Sequence, residues 1–160
     1  MINFEELSIL VDEGDMDDDK IRNLVCEFVR TKNWFPIYCL SELVAREVSI
    51  LVDAENNVWI DWGTIGRVTL SPPYGSVYPF KLWVHTHPRG SAYWSQTDLN
   101  SLSYARGILV KAIVLGHDGI LSTSLIESEN KILNNIQTKL EWSKESVKPW
   151  LEISLNYMKS

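Results

Sequence analysis

The stretch His85-Thr86-His87-Pro88-Arg89-Gly90-Ser91-Ala92-Tyr93-Trp94-Ser95-Gln96-Thr97-Asp98 carries the densest chemistry in this 160-residue chain. Two histidines one residue apart at a strand end project to the same face, because strand side chains alternate with period two. They can grip one ion together. Two imidazoles suit Zn²⁺, and a carboxylate from the following helix would complete three protein ligands with a fourth position open for water, the pattern of catalytic zinc. Asp98 is the expected carboxylate. Plainer readings compete: His-x-His is often a polar strand end, and Ser95-x-x-Asp98 matches a capping box. Capping does not explain why two of only three histidines stand beside it.

Outward from this stretch, the chain alternates helical and strand patterns without the regular β/α repeat of a doubly wound sheet. Ile21, Leu24, Val25, Phe28 and Val29 recur at helical spacing and predict an amphipathic helix over 18–32, with a shorter one over 41–46. Strands are expected at 47–53 and 58–61, joined by the polar turn Ala54 to Asn57, then at 67–71 and 80–84. A helix over 95–106, strands over 108–115 and 120–126 around the turn Gly116-His117-Asp118-Gly119, and a last helix over 128–142 follow. Beyond Pro149 the pattern fits a helix or an edge strand equally. The expected fold is a single α/β domain spanning 1–160, a mixed sheet flanked by helices, with its core over about 20–146 and an acidic segment over 1–19.

A chain of 18.4 kDa with 45% apolar residues and seven Trp can fill one core. The net charge of −6 is the wrong sign for affinity built on phosphate neutralisation, so no direct nucleic-acid partner is expected. No run approaches the roughly 18 apolar residues of a membrane span, and the opening MINFEELSILVDEGDMDDDK is unlike a signal peptide. A soluble, cytoplasmic protein is expected. Cys26 and Cys39 lie in apolar segments and read as buried free thiols.

His-x-His, seven residues, Ser, two residues, Asp is the spacing of the JAMM (JAB/MPN) zinc metallopeptidases, and every position is filled here. The motif most resembles that of AMSH-type deubiquitinases, in His85-Thr86-His87-Pro88 and in Ala92-Tyr93-Trp94-Ser95-Gln96-Thr97-Asp98-Leu99. Outside the motif the likeness extends only to element order, from about Glu47 to Ile126. It implies a cytidine-deaminase-like JAB/MPN architecture, one Zn²⁺ on His85, His87 and Asp98, and hydrolysis of peptide or isopeptide bonds, with a ubiquitin-like protein as the expected partner. The extra His- and Cys-rich zinc insertion of AMSH-type enzymes has no counterpart here, so their linkage preference does not carry over.

The resemblance also implies a glutamate general base at the head of an upstream core strand. Glu47 fits that place, whereas Glu42 falls in the preceding helix and Glu55 in the turn after the strand. Ser95 is the implied oxyanion donor. Tyr93 and Trp94 are candidate substrate-contacting walls, although packing explains them as well. His117 reads as an exposed turn residue, and no role is expected of the aspartates near it. Two other readings remain open. One is a RadC-like, DNA-repair-associated protein, on the strand-turn-strand at 47–57, Gly63-Thr64 and His-x-His-Pro-x-Gly. The other is a non-catalytic MPN scaffold, a class that characteristically loses the ligands retained here.

Overall fold

The computed structural model describes residues 5, 6, 8, 9, 16, 18–63, 70, 72–133 and 135–151. All but Leu70 of the strand expected at 67–71, most of the acidic segment and the tail past Leu151 lie outside them. Helices α1 (Asp19–Arg30) and α2 (Phe35–Val44) precede strands β1 (Val48–Val52), β2 (Val58–Trp62) and β3 (Leu82–Thr86). Helix α3 (Gln96–Tyr104) then leads to β4 (Lys111–Gly116), β5 (Gly119–Ile132) and β6 (Asn135–Trp142). The six strands form one mixed sheet in the order β2-β1-β3-β4-β5-β6. Only the central pair β3 and β4 runs parallel.

Period-two alternation divides the core between the two faces. Val48, Ile50, Val84, Ile113 and Leu115 point to one side and bury Ile21, Leu24, Val25 and Val29 of α1 with Ile37, Tyr38 and Leu40 of α2. Leu51, Trp83 and Ala112 point to the other and pack with Leu102 near the end of α3. Each fully buried aliphatic side chain contributes about 1.5–3 kcal/mol, so α1 needs little intrinsic propensity to stay docked. Asp18 caps it, accepting from the Lys20 N–H at 2.8 Å. Among the described residues no helix is long and apolar enough to cross a membrane.

Three expectations are corrected. The segment 128–142 is not a helix: it completes a hairpin of β5 and β6, paired from Leu125↔Trp142 to Ile132↔Asn135. Ile136, Thr138, Leu140 and Trp142 alternate with Asn135, Gln137, Lys139 and Glu141, and this period of two prevails over the helical spacing of Ile132, Ile136 and Leu140. Helix α2 begins six residues before Ser41, because Pro36 sits in its first turn, where a missing N–H costs nothing. Pro36 therefore starts a helix as well as following one. Cys26 and Cys39 are free, as expected, but half-buried rather than buried.

Asp53, fully buried after β1, organises the turn into β2. Its carboxylate accepts from the backbone N–H groups of Glu55 and Asn57, the Asn57 amide, the Trp59 indole and, at 3.3 Å, the Val77 N–H. Desolvation opposes its charge, yet these donors prevail and lower its pKa to about 2. Because the folded pKa lies below the unfolded one, the stabilisation is complete above about pH 4 and is lost as pH falls toward about 2. Asp53→Asn should lower Tm at neutral pH and flatten the acid limb of the stability profile between those values. Thermal unfolding from pH 7 to pH 2 checks both.

Candidate metal centre

His85 ends up wholly inside the protein. It follows Trp83 on the same face of β3, the two rings stack at 4.5 Å, and the Trp83 indole is fixed by donating to Ser49 Oγ at 2.9 Å. Neither ring nitrogen of His85 has a hydrogen-bond partner. Its Nε2 stands 3.1 Å from Asp98 Oδ1, but the approach lacks hydrogen-bond geometry. A buried unpaired polar group is costly, and such a group in a folded protein demands a reason.

His87, one residue past β3, keeps the same face. Its Nδ1 lies 3.1 Å from the Ser91 carbonyl oxygen, which fixes the tautomer with a proton there and turns Nε2 toward Asp98 Oδ2 at 3.4 Å. Burial disfavours its protonated form, but contact with Asp98, the Ser91 carbonyl and the charges of Asp98 and Glu47 outweigh burial and raise its pKa. Asp98 enters from α3. Ser95 caps that helix by accepting the Asp98 N–H at 3.1 Å, while Asp98 Oδ2 accepts the Ser95 N–H at 2.9 Å. Desolvation would raise the Asp98 pKa, yet the two imidazoles and the Ser95 N–H hold it well below the usual carboxylate range.

One ligand atom from each of His85, His87 and Asp98 can be chosen so that all lie within 4.8 Å of one another. His85 Nε2 stands 3.1 Å from Asp98 Oδ1 and His87 Nε2 3.4 Å from Asp98 Oδ2, so both imidazoles face the one carboxylate at the separations of neighbouring ligand atoms on a single ion, about 3.4 Å. Two imidazoles, one of them orphaned, and a buried carboxylate therefore fit a divalent ion. Ser95 uses its oxygen as an acceptor in the cap, so its hydroxyl proton remains available to a donor role.

Glu47 lies just before β1 and is half-buried. The β1 and β3 register pairs Ser49 with His85, so its continuation sets Glu47 across from His87 on the face of the two histidines. The competing glutamates are elsewhere engaged. Glu42 accepts from the Arg89 N–H and the Tyr38 hydroxyl, bracing α2 against the turn after His87, and Glu55 is exposed at the far end of β1. Tyr93 is exposed, with its ring 4.9 Å from that of His87. Trp94 is half-buried, 6.0 Å from His85, and packs against the core on the α3 side.

Several supports of the site escaped the sequence reading. Thr86, between the histidines, points to the opposite face, where Oγ1 accepts the Val48 N–H at 2.9 Å and donates to Ser41 Oγ at 2.7 Å. Ser41 in turn donates to the Arg46 carbonyl at 2.9 Å. This chain of bonds holds the backbone on both sides of Glu47. Asp118 accepts the Ala92 N–H at 2.7 Å, and the His117 N–H reaches the Gly90 carbonyl at 2.8 Å, so the turn after β4 clamps the loop over 88–94. Asp118 thus has a structural role that none of its neighbours in sequence announces. The same loop crosses Gly116 so closely that a Cβ there would meet the Ala92 nitrogen at 2.1 Å.

Thr86→Val should cost about 1–3 kcal/mol, because the Val48 N–H loses its acceptor and stays buried, and Thr86→Ser should restore most of it. Urea unfolding of the three proteins measures the difference.

No model of a known protein family, no curated protein and no solved structure matches this chain. What the site does must be read from its own residues.

Proposed function

We propose that the chain is a zinc-dependent metallopeptidase of JAMM type, with a cytidine-deaminase-like JAB/MPN architecture, that hydrolyses peptide or isopeptide bonds. The observation that carries this reading is the buried, orphaned imidazole of His85 converging with His87 and Asp98. An all-protein hydrogen-bond network would have given His85 a partner. Three ligands from one strand and one helix leave room for a fourth, the arrangement of catalytic rather than structural zinc. Bound zinc would supply Lewis acidity, bringing the deprotonation of water near neutral pH and polarising the scissile carbonyl.

The protein's own groups divide the remaining work. Glu47 takes the proton of the attacking water and delivers it to the leaving amine. Ser95 donates a hydrogen bond from its hydroxyl to the oxygen that becomes negative as the carbonyl turns tetrahedral. Tyr93 offers an exposed aromatic wall beside His87 for the substrate chain. The substrate that the motif's resemblance favours is the extended C-terminal tail of a ubiquitin-like protein.

Purified protein should contain about one Zn²⁺ per chain, and His87→Ala or Asp98→Asn should remove it. Metal analysis by mass spectrometry decides this. A chain that takes up no zinc at micromolar concentrations overturns the metallopeptidase and leaves the non-catalytic scaffold, while salt-sensitive binding to DNA would favour the RadC-like reading.

Two further variants separate the roles on a panel of peptides and ubiquitin-like fusions. Glu47→Gln should retain zinc while turnover falls by about two to four orders of magnitude. Ser95→Ala should also retain zinc, with turnover about a hundredfold slower. Zinc loss in Ser95→Ala equal to that in Asp98→Asn would remove Ser95 from the oxyanion role, since its cap would then be its whole contribution.

A further inference from the structure

At the end of β3 opposite the histidines lies a cleft of about 600 Å³, lined by Val29, Trp34, Val52, Val58, Leu82 and Ile113 together with Arg30, Lys32, Lys81, Lys111 and Asn56. It sits between the last turn of α1, the start of α2 and the near ends of β1, β2, β3 and β4. Its chemistry is one-sided. The walls are apolar, and four cations surround them with no acidic residue among the described residues of the lining, although the chain as a whole carries a net charge of −6.

The remaining polar groups add donors rather than acceptors. Asn56 Oδ1 already accepts from Lys81 Nζ at 2.7 Å, which leaves the Asn56 amide as a donor. The largely buried ring of Trp34 completes the apolar wall. Basic residues closing α1 would be ordinary on their own, since they complement the helix dipole. That account covers Arg30 and Lys32 but leaves out Lys81 and Lys111.

We infer that this cleft is a second binding site, for a small molecule that joins an oxyanion head to an apolar body, such as a medium-chain carboxylate or alkyl phosphate. The volume falls within the range of about 300–1,000 Å³ that small-molecule sites occupy. The head pairs with Lys81 and Lys111, and the body covers Val52, Val58 and Leu82, which are only half-buried. The site is independent of the metal centre and of the proposed hydrolysis.

Isothermal titration of the full-length, zinc-replete protein tests it, with decanoate, decyl phosphate, decanol, acetate and inorganic phosphate as probes. Saturable one-to-one binding of decanoate or decyl phosphate is expected, and the tighter of the two identifies the head. Decanol, acetate and inorganic phosphate should each bind at least about tenfold more weakly, a loss of about 1.4 kcal/mol. The double variant Lys81→Glu/Lys111→Glu should weaken binding at least about tenfold without changing Tm by more than a few degrees, since both side chains are exposed. Absence of saturable binding by both amphiphiles overturns the proposal. So does unchanged affinity in the double variant, equal affinity for inorganic phosphate, or capture of an acidic peptide in preference to the amphiphiles.

Discussion

The confinement of β3 between β1 and β4 is the constraint on which the rest of the molecule depends. Paired on both edges, this strand cannot slip by one residue without turning every side chain to the opposite face. Trp83 and His85 would then enter the aliphatic layer under α1 and α2, and Val84 would replace an imidazole beside Asp98. The hydrophobic division of the two faces thus enforces the convergence of His85 and His87 on Asp98. Thr86 adds a lock at the strand end, because only in this register does its hydroxyl meet both Val48 and Ser41.

Asp98 shows how one residue can satisfy folding and chemistry together. One carboxylate oxygen closes the capping box with the Ser95 N–H, and the other faces His85 Nε2 at 3.1 Å. The helix start is therefore oriented by the same group that faces the imidazoles, and the charge needed for an ion is already desolvated and held ionised. Such preorganisation spares the site the reordering that a flexible carboxylate would undergo on binding. It also explains why the helix begins at Gln96, so close to the loop that follows His87.

The candidate site was legible in the sequence because its signal is short and local. The alternation of His85 and His87 and the three-residue step from Ser95 to Asp98 are periodicities of one strand and one helix turn. The position of Glu47 was legible for a different reason, as a charge heading an apolar strand. Three supports were not legible, Thr86, Asp118 and Gly116, because each acts through a partner distant in sequence: Ser41, Ala92 and the backbone crossing at Ser91 and Ala92. The last helix was misread where Ile132, Ile136 and Leu140 mimic a helical face. Only pairing with the long β5 reveals their true period.

The β5 and β6 hairpin outruns the rest of the sheet. β4 ends its pairing with β5 at Lys111↔Ser124 and the Leu125 N–H still reaches the Val110 carbonyl, so from Ile126 onward each strand is paired only with the other among the described residues. Trp142, bonded to the Leu102 carbonyl, and Ser143, bonded around Thr123 and Ser124, fasten the root, while Leu133 and Ile136 near the tip are exposed. A two-stranded ribbon is marginal in water, so its distal half opens as a separate cooperative unit of low local stability. Amide hydrogens there exchange with solvent well before those of β1, β3 and β4. The arm can open, shorten or lengthen while the histidines stay fixed, which makes it the part of the molecule most tolerant of insertion.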